Sequence, residues 1–342
     1  MKYLIIALLF LSCKADVKTV DNKSTSIKVA SKVKEVSKNN KNKVGNNTYE
    51  EALKRTLKYA NELNFDIDYI RNKGLADKKY LAEYLGLFVK LKKAMKTKKE
   101  KAIIMKKLTP FYEKTLEPSF HNMNTVNDKL FKRNSMSYMR ILWLLDQLGF
   151  DNAYYKKELA KVQIRMDNHL KVRGEWQKAV FGQYYDYFKI KKPIAIKYAH
   201  KLNGPITYQK PIDYFDRLKA YNITHFVFAA YDYGQKIKQT RFSKRDINYL
   251  SEILPQLITK FEAKNNDDLV GELLTCLVLI NKTKGLAFKN SYTRLINRQN
   301  MDGSFGNYER GRNKHGNDIE FKYYLHTTLV DIEMFIEHNY RK

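Results

Sequence analysis

The chain has 342 residues and a net charge of +28, with 64 Lys and Arg against 36 Asp and Glu. That length suffices for a large apolar core, and two cysteines, Cys13 and Cys276, exclude a disulfide-stapled scaffold. The charge calls for an anionic partner, but no nucleic-acid recognition motif accompanies it, so nucleic acid is not expected.

Residues 1–13, MKYLIIALLFLSC, hold one lysine, an apolar run from Leu4 to Leu11, then Ser12-Cys13. The run is too short to span a bilayer and reads as a secretory signal. Ending on a small residue then cysteine, it resembles a bacterial lipoprotein signal. The resemblance implies removal of residues 1–12, lipidation of Cys13 and a cell-envelope protein anchored to the membrane by that lipid. Phe10 and Leu11 depart from the usual leucine-then-small pattern, and a plain cleaved signal is the alternative. Residues 13–47 carry nine lysines against three acids and no aromatic, a composition that predicts a disordered basic tether. Residues 48–342 are expected to form one monomeric domain.

From Thr48 onward apolar residues recur at helical spacing, and no alternating strand pattern appears. The pattern predicts twelve helices in six hairpins: 49–64 with 78–96, 99–116 with 135–149, 152–170 with 176–190, 193–202 with 222–237, 243–264 with 267–282, and 286–299 with 319–338. Asn134 or Ser135 and Asn266 or Asp267 are expected N-caps, and Gly149 an expected C-cap. The first helix of each pair is more charged and the second more apolar or aromatic. That alternation predicts an all-α fold, an α/α toroid with an inner ring of helices inside an outer one; a superhelical solenoid would need shorter, more uniform repeats and polar terminal faces.

The segment Lys284–Phe305, KGLAFKNSYTRLINRQNMDGSF, ends in Asp-Gly turn chemistry, with Phe305 placed to plug the turn onto helix 286–299. Gln299, Gly303 and Phe305 stand at the Gln, Gly and aromatic positions of the repeat motif of terpenoid cyclases, and Lys284-Gly285 and Phe288 at its upstream positions. Over roughly the last third of the chain it therefore resembles the terpenoid cyclase and protein prenyltransferase superfamily. The resemblance implies the toroid fold, with the glutamine tying helix ends together and the aromatic packing on the helix. Phenylalanine replaces the usual tryptophan, only one copy is clear, and the cyclases' Asp-rich motif does not occur. The prenyltransferase zinc ligands have counterparts by residue type in Asp232, Cys276 and His326, but not by local spacing. No cofactor or metal is expected, and Cys276 within LLTCLVLI reads as a packed apolar residue.

In a toroid the inner helices run parallel, so their N-terminal ends share one mouth that favours anions. Glu83, Arg140, Gln183, Tyr184, His225, Glu272 and His326 are expected near it. His225, His326, Tyr184 and Glu272 are the candidate catalytic residues, being of types that transfer protons near neutrality. Arg140, Asp232, Asp302, Arg310 and Arg312 are the candidate ligand contacts. His225 and Asp232, seven apart, are expected on one helix face about 10 Å apart. Asp302 reads equally as a turn residue, and each histidine as a satisfied core residue. The basic, glycine-rich loop 306–318 reads as a lid whose arginines could clamp carboxylate or sulfate.

Two functions follow. One is an envelope enzyme, lyase or hydrolase, acting on an anionic polysaccharide; the other is a non-catalytic lipoprotein binding a ligand or a protein. Cyclase-like or peptide-modifying chemistry is a third, resting on the turn motif.

Overall fold

The computed structural model describes residues 48–62, 78–197, 203–239, 241–306 and 322–341, all within the unit Asn46–Lys342. The signal (1–12), Cys13, the tether (13–47), Arg310, Arg312 and the rest of the expected lid after Gly306 lie outside the described residues. Among those described there are twelve α-helices, two short 3-10 segments and no strand: an all-α protein. The helices are α1 (Tyr49–Glu62), α2 (Lys78–Ala94), α3 (Lys98–Thr115), α4 (Asp128–Leu148), α5 (Ala153–Leu170), α6 (Glu175–Tyr187), α7 (Ile194–Lys197), α8 (Arg217–Ala230), α9 (Lys244–Glu262), α10 (Asp267–Leu279), α11 (Leu286–Asn297) and α12 (Lys322–Tyr340). No described helix is long and apolar enough to cross a membrane.

Local chemistry sets the boundaries. Thr97 with Glu100 and Ser243 with Asp246 form reciprocal capping boxes that open α3 and α9. Gly149 ends α4 in the left-handed region at φ 91°, as expected. Three expected boundaries are wrong. α4 starts seven residues early because Asn127 accepts from Leu130 N at 3.0 Å, while Asn134 sits inside the helix, donating to Leu130 O. α8 starts at Arg217 because Asp216 accepts from Lys219 N at 2.8 Å. It stops at Ala230 because Asp232, Tyr233 and Gly234 all take positive φ. His225 and Asp232 therefore do not share a helix.

The even-numbered helices pack in succession: α2 on α4, α4 on α6, α6 on α8, α8 on α10, α10 on α12, and α12 back on α2. The odd-numbered helices lie against them, α1 on α12 and α2, α3 on α2, α5 on α4, α7 on α6, and α9 and α11 on α10. Burial follows this division. Every residue of α10 except Asp268 is buried, whereas α3 buries a single stripe of Ile104, Leu108, Phe111 and Thr115. Three ion pairs fix the relative direction of α2 and α12: Glu83 with His326 at 3.2 Å, Lys90 with Glu333 at 2.7 Å, and Lys93 with Glu337 at 2.8 Å. Each contact advances in the same sense along both helices, so they run parallel.

The 299–305 turn fastens the end of the chain to its beginning. Gln299 Nε2 lies 2.9 Å from Ala52 O and from Thr56 Oγ1, and 3.0 Å from Gly303 O. Thr56 Oγ1 in turn donates to Gly303 O at 3.1 Å. Gly303 has φ 91°, and a Cβ there would stand 2.1 Å from Arg55 O, so both conformation and space demand glycine. Phe305 is 1% exposed and packs on α12: its ring lies 5.5 Å from that of Phe335, and its N–H donates to Thr328 Oγ1.

Removing the amide in Gln299→Ala leaves buried acceptors on α1 without a donor and is expected to cost about 1–3 kcal/mol. Gly303→Ala should cost more, because backbone must move. Urea unfolding of both variants checks the order; an equal or reversed order would contradict the role given to the glycine.

Candidate active site

Four helices contribute side chains to one cluster, α2, α10 and α12 from their N-terminal halves and α8 from its first half and middle. Lys79 and Glu83 come from α2, Tyr221, Thr224 and His225 from α8, Asp268 and Glu272 from α10, and His326 from α12. The pairs Lys79/Glu83 and Asp268/Glu272 are four apart, which places each pair on one helix face.

His326 is the hub. Its Nδ1 lies 3.2 Å from Glu83 Oε1, and its Nε2 lies 3.2 Å from Asp268 Oδ1. Lys79 Nζ approaches Glu83 at 3.4 Å, and Tyr221 Oη donates to the second oxygen of Asp268. Burial alone would strip the imidazole of its proton, but the facing carboxylates outweigh it and lift His326 to about 10. Burial would likewise raise Glu83 and Asp268, but Lys79 and His326 hold Glu83 down to about 2, and His326 with the Tyr221 hydroxyl does the same for Asp268. At neutral pH this is an imidazolium between two carboxylates.

Glu272, one turn beyond Asp268, is driven the opposite way. Burial and the charge on Asp268 push it up to about 8, so Asp268 stays ionised while Glu272 keeps its proton. Thr224 Oγ1 lies 2.8 Å from Tyr221 O and also donates to Glu272 Oε2, a contact that only partly offsets this rise.

His225 completes the set. Its Nδ1 is 2.7 Å from Tyr221 O and 3.9 Å from Glu272 Oε2. Because Tyr221 O accepts, Nδ1 carries the proton and Nε2 presents a lone pair. Burial, reinforced by the charges of Arg140 and His326, lowers His225 to about 4, so the ring is neutral. Both histidines are enclosed by protein, yet 26% of the His225 side chain and 32% of that of His326 remain open to water. Both meet the same pair of acids on α10, His225 facing Glu272 at 3.9 Å and His326 facing Asp268 at 3.2 Å.

Arg140 reaches the same region from the middle of α4 and not from a helix start, since α4 begins at Asp128. Its guanidinium faces the Tyr233 ring at 6.0 Å and has no hydrogen-bond or ion-pair partner among the described residues. Below it the interior is filled by Trp143, Tyr184 and Tyr233, with Trp143 6.1 Å from Tyr184 and 6.0 Å from Tyr233. Tyr184 is 1% exposed, and burial pushes its phenol far up, away from proton transfer near neutrality. Asp232 is buried in the turn after α8, 3.9 Å from Lys236, with Oδ1 unpaired. Asp302 accepts from Ser304 N and Oγ in its own turn. The structure thus brings together His225, His326 and Glu272, with Glu83 and Arg140 beside them. It does not bring Tyr184, Asp232 or Asp302 into that cluster.

Asp232, Cys276 and His326 do not form a zinc site. Cys276 Sγ, fully buried, faces Thr224 O at 3.9 Å. Asp268, Glu272 and His326 bring donor atoms within 4.8 Å of one another, a spacing a cation could use. Here the His326 nitrogens face Glu83 and Asp268 at 3.2 Å and Asp268 also accepts from Tyr221, so a cation would have to displace these contacts.

Asp268, Tyr221, Thr224 and Lys79 were not among the residues expected to act. Asp267-Asp268 reads as helix-start capping, and only the i,i+4 relation of Asp268 to Glu272 in an otherwise apolar helix points to more.

Residues 206–335 match a domain of unknown function, DUF6895. No curated protein and no solved structure matches the chain. The matched stretch covers α8 through most of α12 and so includes Tyr221, Thr224, His225, Asp268, Glu272 and His326, while Lys79, Glu83 and Arg140 lie outside it.

Glu272 and His326 both bind their protons more tightly folded than unfolded, so each contributes stability that is lost as pH rises: between about 4.5 and 8 for Glu272 and about 6.5 and 10 for His326. His225, lowered to about 4, works in the opposite sense below about 6.5. Thermal melts from pH 6.5 to 10 should therefore show a declining midpoint. Glu272→Gln should flatten the lower part of that decline and His326→Gln the upper part. A wild-type midpoint constant across this range would contradict the assignment.

Proposed function

We propose that residues 48–342 form an α/α toroid, anchored in the cell envelope through lipidated Cys13, that performs acid–base chemistry on an anionic polysaccharide. The closed succession of contacts from α2 to α12 and back supports the toroid, as do the parallel α2 and α12. The observation that carries the chemistry is the pairing of a protonated Glu272 with a neutral, partly water-exposed His225 in the cluster that Arg140 also reaches.

The arrangement suits β-elimination from a uronate. Arg140 meets the substrate carboxylate and stabilises the negative charge that develops when the adjacent carbon loses its proton. His225 Nε2 takes that proton, Glu272 gives its own to the departing glycosidic oxygen, and a carbon–carbon double bond replaces the broken C–H and C–O bonds. No water is consumed. After product leaves, water takes the proton from His225 Nε2 and supplies one to Glu272, which restores the starting protonation of both. The imidazolium of His326 keeps Asp268 ionised, and ionised Asp268 keeps the proton on Glu272 at rest.

Hydrolysis is the second reading, favoured by a protonated Glu272 and an ionised Asp268 with oxygens within 4.8 Å, near the separation used by retaining glycosidases. It is weaker because both Asp268 oxygens are held, by His326 and Tyr221.

A panel of polyuronates assayed for new unsaturated ends separates the two, since hydrolysis gives reducing ends without unsaturation. Activity should be bell-shaped, rising as His225 loses its proton above about 4 and falling as Glu272 loses its proton above about 8. Glu272→Gln and His225→Ala should each lower kcat about 10²- to 10⁴-fold. Binding without turnover on every member of the panel would replace the enzyme with a non-catalytic binding protein.

A further inference from the structure

Helix α8 carries two working faces. Tyr221, Thr224 and His225 belong to the site around Asp268 and Glu272, while Lys219, Asn222 and Phe226, spaced three and four apart, line a separate cleft. This cleft has a volume of about 470 Å³ and lies between α8, the start of α6 and the 203–214 segment, a size suited to a bound ligand. Site and cleft share a wall. Trp176 lines the cleft and also sets its ring edge against His225, with centroids 4.6 Å apart and planes at 61°.

We propose that this cleft binds successive sugar rings of the anionic polysaccharide and leads the chain to His225. The proposal rests on the glycan reading above and adds where, and through what contacts, the chain is held. The lining alternates aromatic planes with cations. Tyr208 is 73% exposed at the rim. Lys210 Nζ lies 5.9 Å from the centre of that ring and 5.5 Å from Tyr214, and it has no carboxylate partner among the described residues. Lys219 Nζ lies 4.7 Å from the Tyr214 ring, and its pair with Asp216 is exposed and water-screened.

A pyranose ring has apolar C–H faces, which stack on aromatic planes, and a polar edge, which in a uronate carries the carboxylate that a lysine meets. Asn222, without a hydrogen-bond partner among the described residues, offers donors and an acceptor to hydroxyls. Glu175, the one carboxylate of the lining, accepts from hydroxyls as well. Gly204, at φ 46°, lets the 203–214 segment pass close over Phe226, where a Cβ would stand 3.3 Å from the ring. This presses the segment down as one side of the cleft.

Affinity electrophoresis of the full-length chain through gels holding polygalacturonate or alginate tests the proposal, with dextran as the neutral polymer and oligo-dT as the competing anion. Tyr208→Ala and Lys210→Ala sit on the exposed rim and should fold normally. Each should weaken binding to the polyuronates about 3- to 10-fold, while Glu272→Gln should bind as wild type. Unchanged retardation of both rim variants, equal retardation on dextran, retardation by oligo-dT alone, or no retardation on any polyuronate would overturn it. Failures of the two readings are distinguishable. Binding that depends on Tyr208 and Lys210 without any turnover keeps the cleft and removes the catalysis, whereas turnover with KM unchanged in both rim variants does the reverse.

Discussion

One protonated imidazole, His326 between Glu83 and Asp268, determines most of what surrounds it. Mechanically it ties α12 to α2 and to α10 at the level where their N-terminal halves meet. Electrically it decides which carboxylates are charged. A buried acid beside a fixed cation stays ionised, and a second acid beside that anion cannot ionise as well. Asp268 and Glu272 are one helical turn apart on the same face of the same helix, yet they end in opposite states because one of them faces His326. Replacing the imidazolium by a neutral group would erase that asymmetry before it disturbed any packing.

Partition of polarity along the interior follows the same logic. The upper level holds ions, each satisfied by another ion or by a hydroxyl, and the level below holds Trp143, Tyr184 and Tyr233. Arg140 stands at the boundary with a ring beside it and no carboxylate in contact. An unpaired buried guanidinium costs desolvation that a well-formed ion pair would offset. Here the compensation comes from a distance, through the charges of Glu83 and Glu333.

The helices were legible because their apolar residues recur at helical spacing through all twelve segments and because Gly149 is unambiguous punctuation. The misplaced boundaries share a cause. Asn127 and Asp216 cap helices whose first turns are charged, so the periodic signal starts late, and three successive positive-φ residues after Tyr231 leave no mark that propensity can read. Within the site, His225, Glu272 and His326 stood out as polar residues in apolar stretches. Asp268 did not, because a carboxylate at a helix start has an ordinary explanation that hides a second role. Asp232 was misassigned for a geometric reason: seven residues make two turns only if the helix lasts that long.

The Gln299 contacts carry a consequence of another kind. They join residues 243 and 247 positions apart, and α12 completes the succession by meeting α2. Neither contact exists until nearly the whole chain is made. α1 and α2 must therefore wait, with apolar faces uncovered, while some two hundred residues are added behind them, and closing so long a span slows folding. The first helices of this chain therefore gain their last partners only when its final helix arrives, so the two ends of the sequence stabilise each other or not at all.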